Sequence, residues 1–279
     1  MNSVKTALLL GLLSGIILFM GRTLGGAQGL TIALGIALAV NFVSYWWSDK
    51  IVLFMHGAKE IALEEDPALH RLVGQLALSA DIPKPRIYYV DSPAPNAFAT
   101  GRNPAHGAVA MTGGLLTLMD EHELRGVLAH ELAHIKNRDI LISTVAATLA
   151  AAISYLASMA KWALILGGGR HDRDDDGGGI GALVLLILAP ILALLIQLWI
   201  SRTREYAAAA AGARIAGTPH GLANALLKLD AVSRQIPMAA NPATAHLYIM
   251  CPFTGRSLLR VFSTHPPVGE RVERLRRIA

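Results

Sequence analysis

The sequence predicts a mainly α-helical, membrane-anchored fold with a small β-sheet, and three observations lead to this prediction. The first is composition, because 53% of the 279 residues are hydrophobic and only 16% are charged, which is more apolar than an ordinary soluble domain. The second is a set of apolar runs long enough to cross a bilayer. The third is a group of short runs rich in Ile, Val and Tyr that are bounded by proline and glycine.

The first two apolar runs predict a transmembrane hairpin in residues 1–47. Residues Thr6–Gly21 lie between two basic residues, and Leu30–Trp47 ends in a Tyr-Trp-Trp cluster of the kind found at a headgroup boundary. The first run also has the basic start and apolar centre of a signal peptide. A second span follows within a few residues without a clear cleavage site, so we expect the first run to be retained.

Two further apolar runs predict a second pair of spans in residues 140–200. They cover Ile140–Ala160 and Ile180–Ile200, and the later run contains Pro190, which a membrane helix tolerates when neighbouring groups satisfy the freed carbonyl. A solvated loop rich in glycine and aspartate joins them at Gly167–Gly179. The earlier run contains Ser and Thr, so an alternative is that it continues the preceding helix into a hydrophobic groove. The expected total is about four transmembrane helices.

Four spans place residues 48–139 and 201–279 on the same side of the membrane, as any site shared between them requires. Cytoplasmic loops carry an excess of Lys and Arg, and basic residues near the span ends are more numerous on this face. We therefore expect the face that carries both segments to be cytoplasmic. The residues compared are Lys5, Lys50, Lys59, Lys136, Arg138, Arg202 and Arg204 on this face, and Arg22, Arg170 and Arg173 on the other.

Between the two pairs of spans, residues 48–139 predict a small sheet beside a helix. Apolar residues recur with helical spacing in Pro67–Ala80. Three short strands are expected at Arg86–Val90, Asn96–Thr100 and Gly107–Met111, separated by proline-rich turns. A further helix is expected to start near Asp120.

That further helix carries an HExxH motif, formed by His130, Glu131 and His134. Two imidazoles at i and i+4 lie on one face of a helix, so both can bind one zinc ion, and the Glu beside the first can hold the attacking water as general base. Asp120 and Glu123 form a candidate capping pair at the helix start. The sequence therefore predicts a zinc site with Glu131 as its catalytic base.

An open catalytic zinc site needs a third protein ligand. The metzincin extension does not supply it, because Ile140 occupies the position of its third His. Glu205 is the best candidate, as the only Glu between the motif and Glu270. The alternative for Glu205 is an interfacial ion pair with Arg202 or Arg204, which the spacing favours about equally.

Four segments together resemble the HtpX family of membrane zinc metalloproteases, which is related to the CAAX prenyl protease. They are Asn96–Gly101, Ala129–Asp139, Ser201–Tyr206 and Ser263–Pro267. The resemblance implies a zincin-like fold, Glu205 as the third zinc ligand and a place in the bacterial inner membrane. It also implies heat-shock quality control, with cleavage of misfolded or selected membrane proteins near the cytoplasmic face.

One position departs from the family pattern. The family usually carries an Asp four residues after the ligand Glu, where this chain has Ala209 within the run Ala207–Ala210. In relatives that Asp supports a zinc-bound His, and loss of such a partner typically weakens metal affinity or activity about 10- to 100-fold. The resemblance therefore implies a weakened site, whether the alanine run is natural or engineered.

The same resemblance suggests further site residues. His265 precedes two prolines and is expected either to stabilise the oxyanion of the tetrahedral intermediate or simply to occupy a rigid turn. Arg271 is expected to stabilise the C-terminal helix or to neutralise a carboxylate near the zinc. Asn96, Ala97 and Phe98 are expected to form an edge strand to which an extended substrate adds, the alternative being an ordinary hairpin strand.

Two rivals belong to other functional classes. One is a non-catalytic membrane zinc protein that binds clients, although an open coordination position favours an enzyme. The other is a transporter, for which Lys161 and Pro190 would be the intramembrane clues. Nucleic-acid binding is not expected despite the net charge of +5, because the basic residues flank apolar segments rather than forming a stripe. The single cysteine, Cys251, excludes an intramolecular disulfide.

Overall fold

The computed structural model describes residues 2–143, 145, 202–233, 235–236, 247–250 and 266–278. Most of the predicted third and fourth spans lies outside these residues. The loop that joins the two spans lies outside them as well, and so do Lys161, Pro190 and His265. The expected total of about four membrane helices stays a prediction.

The first helix, α1 (Asn2–Trp46), folds back on itself at two glycines. Gly25 and Gly26 leave helical geometry, and Gly26 has a φ of 58°, in the left-handed region that glycine adopts without strain. The two arms lie side by side. The Asn41 side-chain amide on the second arm donates a hydrogen bond to the Ser14 hydroxyl on the first over 2.8 Å. Such a bond pairs two polar groups that lipid would leave without partners.

The second arm of α1 has the composition of a membrane span. Among the residues that the structure describes, one helix, Gly25–Trp46, is long and apolar enough to cross a membrane. Large apolar side chains on this arm are half exposed or more, namely those of Ile32, Leu34, Ile36, Leu38 and Phe42. A contiguous apolar surface of this kind marks contact with lipid or protein. This arm coincides with the second of the predicted spans.

Four short strands form one mixed sheet in the order β1-β2-β4-β3. They are β1 (Lys59–Glu60), β2 (Arg86–Val90), β3 (Ala97–Thr100) and β4 (Ala108–Thr112). β2 and β4 are parallel, whereas β1–β2 and β3–β4 are antiparallel. β3 therefore lies at one edge of the sheet.

Helices account for most of the remaining described structure, and one of them is central. They are α2 (Ser48–Met55), α3 (Pro67–Ala80), α4 (Gly113–Leu118), α5 (Glu121–Lys136), α6 (Arg202–Ala216), α7 (His220–Ser233) and α8 (Val268–Arg276). The central helix is α5, which contacts α3, α6 and α7 as well as strands β3 and β4. Its Leu128 and Leu132 are fully buried in the main core with Leu76, Met111 and Leu226. A mainly helical fold with a small sheet beside the motif helix is thus confirmed.

The predicted elements of the catalytic part agree closely with the observed ones. The α3 helix and β2 have the predicted bounds, while β3 and β4 each begin one residue later than expected. The start of α3 is fixed by Asp66, whose side chain accepts a hydrogen bond from the Leu69 amide, and by Pro67 in the first turn. β1 was not expected, because two exposed charged residues carry no strand pattern.

Candidate metal centre

The metal-binding motif lies in the middle of α5, and a capping box fixes where that helix begins. The Asp120 carboxylate accepts from the Glu123 amide over 2.8 Å, and the Glu123 carboxylate accepts from the Asp120 amide over 3.1 Å. This confirms the predicted pair. His130, Glu131 and His134 follow on buried turns of the same helix.

Glu205, on α6, reaches both histidines of α5. His130 Nε2 lies 3.6 Å from Glu205 Oε2, and His134 Nε2 lies 3.4 Å from Glu205 Oε1. One potential ligand atom from each of the three residues falls within 4.8 Å of the others. Zinc bonds of about 2.0–2.1 Å in tetrahedral geometry place neighbouring ligand atoms about 3.3 Å apart. The two measured separations fit that geometry, so these residues suit a metal ion.

The close approach of α6 to α5 depends on a glycine. A Cβ atom at Gly212 would lie 2.9 Å from the His130 Cα atom, closer than real side chains allow. Glycine therefore lets α6 pack directly against the backbone that carries the first histidine. This packing helps to place Glu205, two turns earlier on α6, beside the motif.

Burial dominates the electrostatics of the centre. It raises the pKa of Glu131 to about 7 and lowers the pKa of His130 to about 4. Burial also lowers the pKa of His134. The Glu205 carboxylate, the hydrogen bond that Asp139 accepts from His134 and the Glu131 carboxylate outweigh burial, so the pKa of His134 is raised. A carboxyl group with a pKa near neutrality can both accept and release a proton at physiological pH, as a general base must.

Asp139 supports the second histidine, a role that the sequence analysis did not assign. Its Oδ2 atom lies 3.3 Å from His134 Nδ1, the ring nitrogen opposite the one that faces Glu205. Its Oδ1 atom lies 3.7 Å from Arg204 Nη1. A carboxylate on the outer nitrogen orients a metal-binding imidazole and raises its basicity. The only sequence signal for this role was the place of Asp139 at the end of the Ala129–Asp139 segment.

His130 lacks the equivalent support. Its Nδ1 atom is buried and has no hydrogen-bond partner among the residues that the structure describes. Ala209, where relatives are expected to carry Asp, is 4% exposed and belongs to the apolar core. It follows Glu205 by one helical turn, so it lies on the face of α6 that meets α5. The unpartnered nitrogen agrees with the loss of a carboxylate at position 209.

Arg271, on α8, is a buried cation in the centre. Its Nη2 atom lies 3.3 Å from His130 Nε2 and 3.7 Å from Glu205 Oε2. Burial lowers the pKa of Arg271, and the Glu205 and Glu131 carboxylates oppose that shift. Of the two expected roles, the contacts favour charge neutralisation beside a metal-site carboxylate. Arg204, offered by the sequence as a partner of Glu205, lies within ion-pair distance of Asp139 and also interacts electrostatically with Glu205.

Strand β3, which the sequence predicts to pair with an extended substrate, borders the candidate metal centre. Part of its outer edge is occupied by residues of the same chain. The Ile249 amide donates to the Ala97 carbonyl over 3.0 Å. The Asn96 side chain donates to the Met250 carbonyl over 3.2 Å and accepts from the Met250 amide over 3.3 Å. Phe98 is 1% exposed, and its ring packs against Tyr248. Residues 247–250 therefore lie against the outer edge of β3, joined to it by one backbone hydrogen bond and by the Asn96 side chain.

The space beside the candidate ligands is small. A cavity of about 30 Å³ is lined by the motif, Glu205 and Ala99, with Leu247, Tyr248 and Ile249 among the other lining residues. A water molecule needs about 10–15 Å³ of such space, so the cavity has room for roughly two waters. It has no room for a peptide, and Leu247, Tyr248 and Ile249 form part of its wall.

Comparison with known proteins places the chain among peptidases. Residues 63–279 match the model of Peptidase family M48. A protein named Protease HtpX homolog from Desulfatibacillum aliphaticivorans is 56% identical over 275 residues, covering 98% of this chain and 89% of that protein. Proteins of the same name from Thermodesulfovibrio yellowstonii and Pyrococcus furiosus are 55% and 53% identical over 280 and 278 residues. These cover 100% and 99% of this chain, and 99% and 96% of the two relatives.

A solved structure shares the fold at lower identity. The crystal structure of S. mikatae Ste24p aligns with 98% of this chain at a TM-score of 0.54 and 19% identity. This chain spans 64% of the length of that chain. The resemblance to the HtpX family, which four short segments carried in the sequence, is confirmed by these comparisons.

Proposed function

Since the chain belongs to peptidase family M48, we propose that it is a zinc endopeptidase that cleaves membrane proteins on the cytoplasmic face of the membrane. The family and the relatives make it a membrane-associated metalloprotease, so the non-catalytic and transporter rivals are set aside. One observation supports the choice of zinc. Two imidazoles and one carboxylate converge within 4.8 Å beside a buried glutamate, which is the donor set of His₂Glu zinc peptidases.

His130, His134 and Glu205 are the residues that would hold the ion. A zinc ion bound by these residues supplies Lewis-acid activation of a water molecule and of the substrate carbonyl. Glu131 accepts a proton from the attacking water and passes it to the leaving amine nitrogen as the peptide bond breaks. Burial raises the pKa of the Glu131 carboxyl group, which favours its accepting this proton.

We propose that two side chains, those of Arg271 and His265, stabilise the oxyanion that develops when water attacks the substrate carbonyl. The Arg271 guanidinium is already held beside His130 and Glu205. His265 precedes Arg271 by six residues and lies outside the described part of the chain. A fixed cation near the developing negative charge lowers the energy of the transition state without reorganisation.

We propose that an extended substrate pairs with the outer edge of β3 at Asn96, Ala97 and Phe98. The backbone of β3 supplies the affinity, so the site would accept varied sequences. The Ala97 carbonyl already accepts a bond from Ile249. A substrate strand that used this carbonyl would replace Ile249, so entry requires residues 247–250 to move aside. This movement would also open the cavity of about 30 Å³ to a peptide.

The wider cellular assignment is proposed from the sequence and the family. It places a transmembrane hairpin in residues 1–47, the sheet and motif in 48–139, two more spans in 140–200 and the Glu205 helix in 201–279. This multi-pass arrangement suits a protein of the cell inner membrane with its catalytic part in the cytoplasm. Misfolded or selected membrane proteins, presented near the lipid bilayer, would be the substrates in a stress response.

Replacement of Glu131 by Gln tests the proposed chemistry. The variant should bind zinc as the original chain does, because Glu131 is not one of the three ligands, yet it should lose peptide-bond cleavage by a factor of about 10³ or more. Casein cleavage and zinc content are measured on the full chain purified in detergent. Glu64→Gln, an exposed change of the same kind, serves as the matched control. Full activity in Glu131→Gln would contradict the assignment of the base.

A further inference from the structure

A second and larger cavity lies apart from the metal centre, where the second arm of α1 meets the catalytic part. Its volume is about 580 Å³, which falls within the range of small-molecule sites. One side is aromatic and includes Trp46 at the end of α1. The other sides come from α2, from the segment before β2, and from the turn between β3 and β4. None of these residues belongs to the proposed zinc site.

The polar lining of this cavity is basic. Four cationic side chains line it, those of Lys50, Lys84, Arg86 and Arg102, with one carboxylate, Asp49. Arg86 Nη2 lies 3.4 Å from Asp49 Oδ2, so the carboxylate is already paired. Within the described ranges, the other three cations have no carboxylate at ion-pair distance. A concave surface with an uncompensated positive charge attracts anions.

Two of these cations are held in place by histidine side chains. Lys84 Nζ lies 2.9 Å from His70 Nδ1, and Arg102 Nη2 lies 2.8 Å from His106 Nε2. An imidazole nitrogen that accepts a hydrogen bond from the cation leaves the positive charge in place. These two cations are therefore positioned, and each keeps further donors for a ligand.

The cavity lies at the end of the apolar arm Gly25–Trp46, which is long enough to cross a membrane. Trp46 ends the membrane arm of α1, and tryptophan at the end of a span sits at the interface between hydrocarbon and water. The Arg102 guanidinium lies over the Trp46 ring, 4.7 Å from its centroid. This contact fixes a cation from the β3–β4 turn at the same depth as the aromatic ring. Phosphate groups of phospholipids occupy that depth.

We infer that this cavity binds the headgroup of an anionic phospholipid, with Lys50, Lys84 and Arg102 contacting its phosphate. An aromatic wall beside the acyl chains and a basic wall beside the phosphate match the two halves of such a lipid. The bound lipid would fix the catalytic part against the membrane surface. The inference requires membrane association but is independent of the proposed zinc chemistry.

Native mass spectrometry of the full chain in a non-ionic detergent tests this inference. The chain is titrated with phosphatidylglycerol and, separately, with phosphatidylcholine, which carries the same phosphate but no net charge. The double variant Lys50→Gln with Arg102→Gln removes two cavity cations. The double variant Arg71→Gln with Arg276→Gln removes the same charge at exposed positions outside the cavity. Zinc content and thermal unfolding confirm that each variant is folded.

The expected result is one tightly bound phosphatidylglycerol, with an affinity at least about tenfold above that for phosphatidylcholine. The cavity variant should lose roughly 10- to 30-fold in that affinity, and the control variant should lose much less. If the double variant fails to fold, Lys50→Gln alone carries the test, because the exposed Lys50 side chain has no ion pair in the described structure. Equal binding of the two lipids would overturn the inference. So would displacement of the lipid by millimolar inorganic phosphate, which would identify a free anion as the ligand.

Discussion

Replacement of Ala209 by Asp should tighten metal binding. Ala209 lies one turn after Glu205 on the face of α6 that meets α5, and His130 Nδ1 is buried without a partner. A carboxylate at position 209 would accept a hydrogen bond from that nitrogen and make His130 a more basic ligand. A supporting carboxylate of this kind typically contributes about 10- to 100-fold in affinity, which corresponds to about 1.4–2.7 kcal/mol.

Desolvation of the new carboxylate opposes this gain. Ala209 is 4% exposed, so a carboxylate there loses most of its hydration. The N–H donor at His130 Nδ1 offsets part of that loss. We therefore expect a net gain of about tenfold, at the lower end of the range for a supporting carboxylate.

Competition with a chromophoric zinc chelator measures the dissociation constant directly, and casein cleavage on the same samples reports activity. Ala207→Asp adds the same charge at an exposed position of the same run, so it controls for net charge. Ala209→Asn retains an oxygen acceptor without the charge and should give a smaller gain. Equal or weaker zinc binding in Ala209→Asp would refute the reasoning that His130 lacks a partner from this position.

Two further changes probe the neighbouring residues. Asp139→Asn removes the charged partner of His134 Nδ1. Zinc affinity, measured with the same chelator, should therefore fall about tenfold. An unchanged affinity would contradict the supporting role of Asp139. Ile249→Pro removes the amide that donates to the Ala97 carbonyl, so displacement of residues 247–250 should become easier. We expect kcat/KM for a short peptide to rise severalfold at unchanged zinc content. A fall in kcat/KM per bound zinc would argue against displacement of residues 247–250.

The elements that the sequence placed correctly are those whose signals are local. Asp66, Pro67 and the apolar spacing that follows fix α3 within one stretch of chain. The HExxH motif places His130 and His134 on one face of a helix wherever that helix packs. β1 was not predicted, because its two residues are exposed and pair with β2 only in the folded chain.

The candidate site residues also differ in how far local sequence signals could identify them. Glu205 was recognisable as a candidate, yet an ion pair with a neighbouring arginine was equally compatible with its spacing. Only the packing of α6 on α5 brings its carboxylate within 3.6 Å of both imidazoles. The role of Asp139 was missed because five residues separate it from His134, so the contact depends on where α5 ends.

The sequence by itself predicted the chemistry of this protein, because the candidate metal ligands His130 and His134 lie one turn apart on a single helix. It also predicted the apolar helix Gly25–Trp46, because hydropathy accumulates along a continuous run. The tertiary structure decided which distant groups meet. Arg271 reaches His130 across 141 residues, and Asn96 meets Met250 across 154. Contacts of that range arise from helix packing and sheet edges, whose geometry no local pattern encodes.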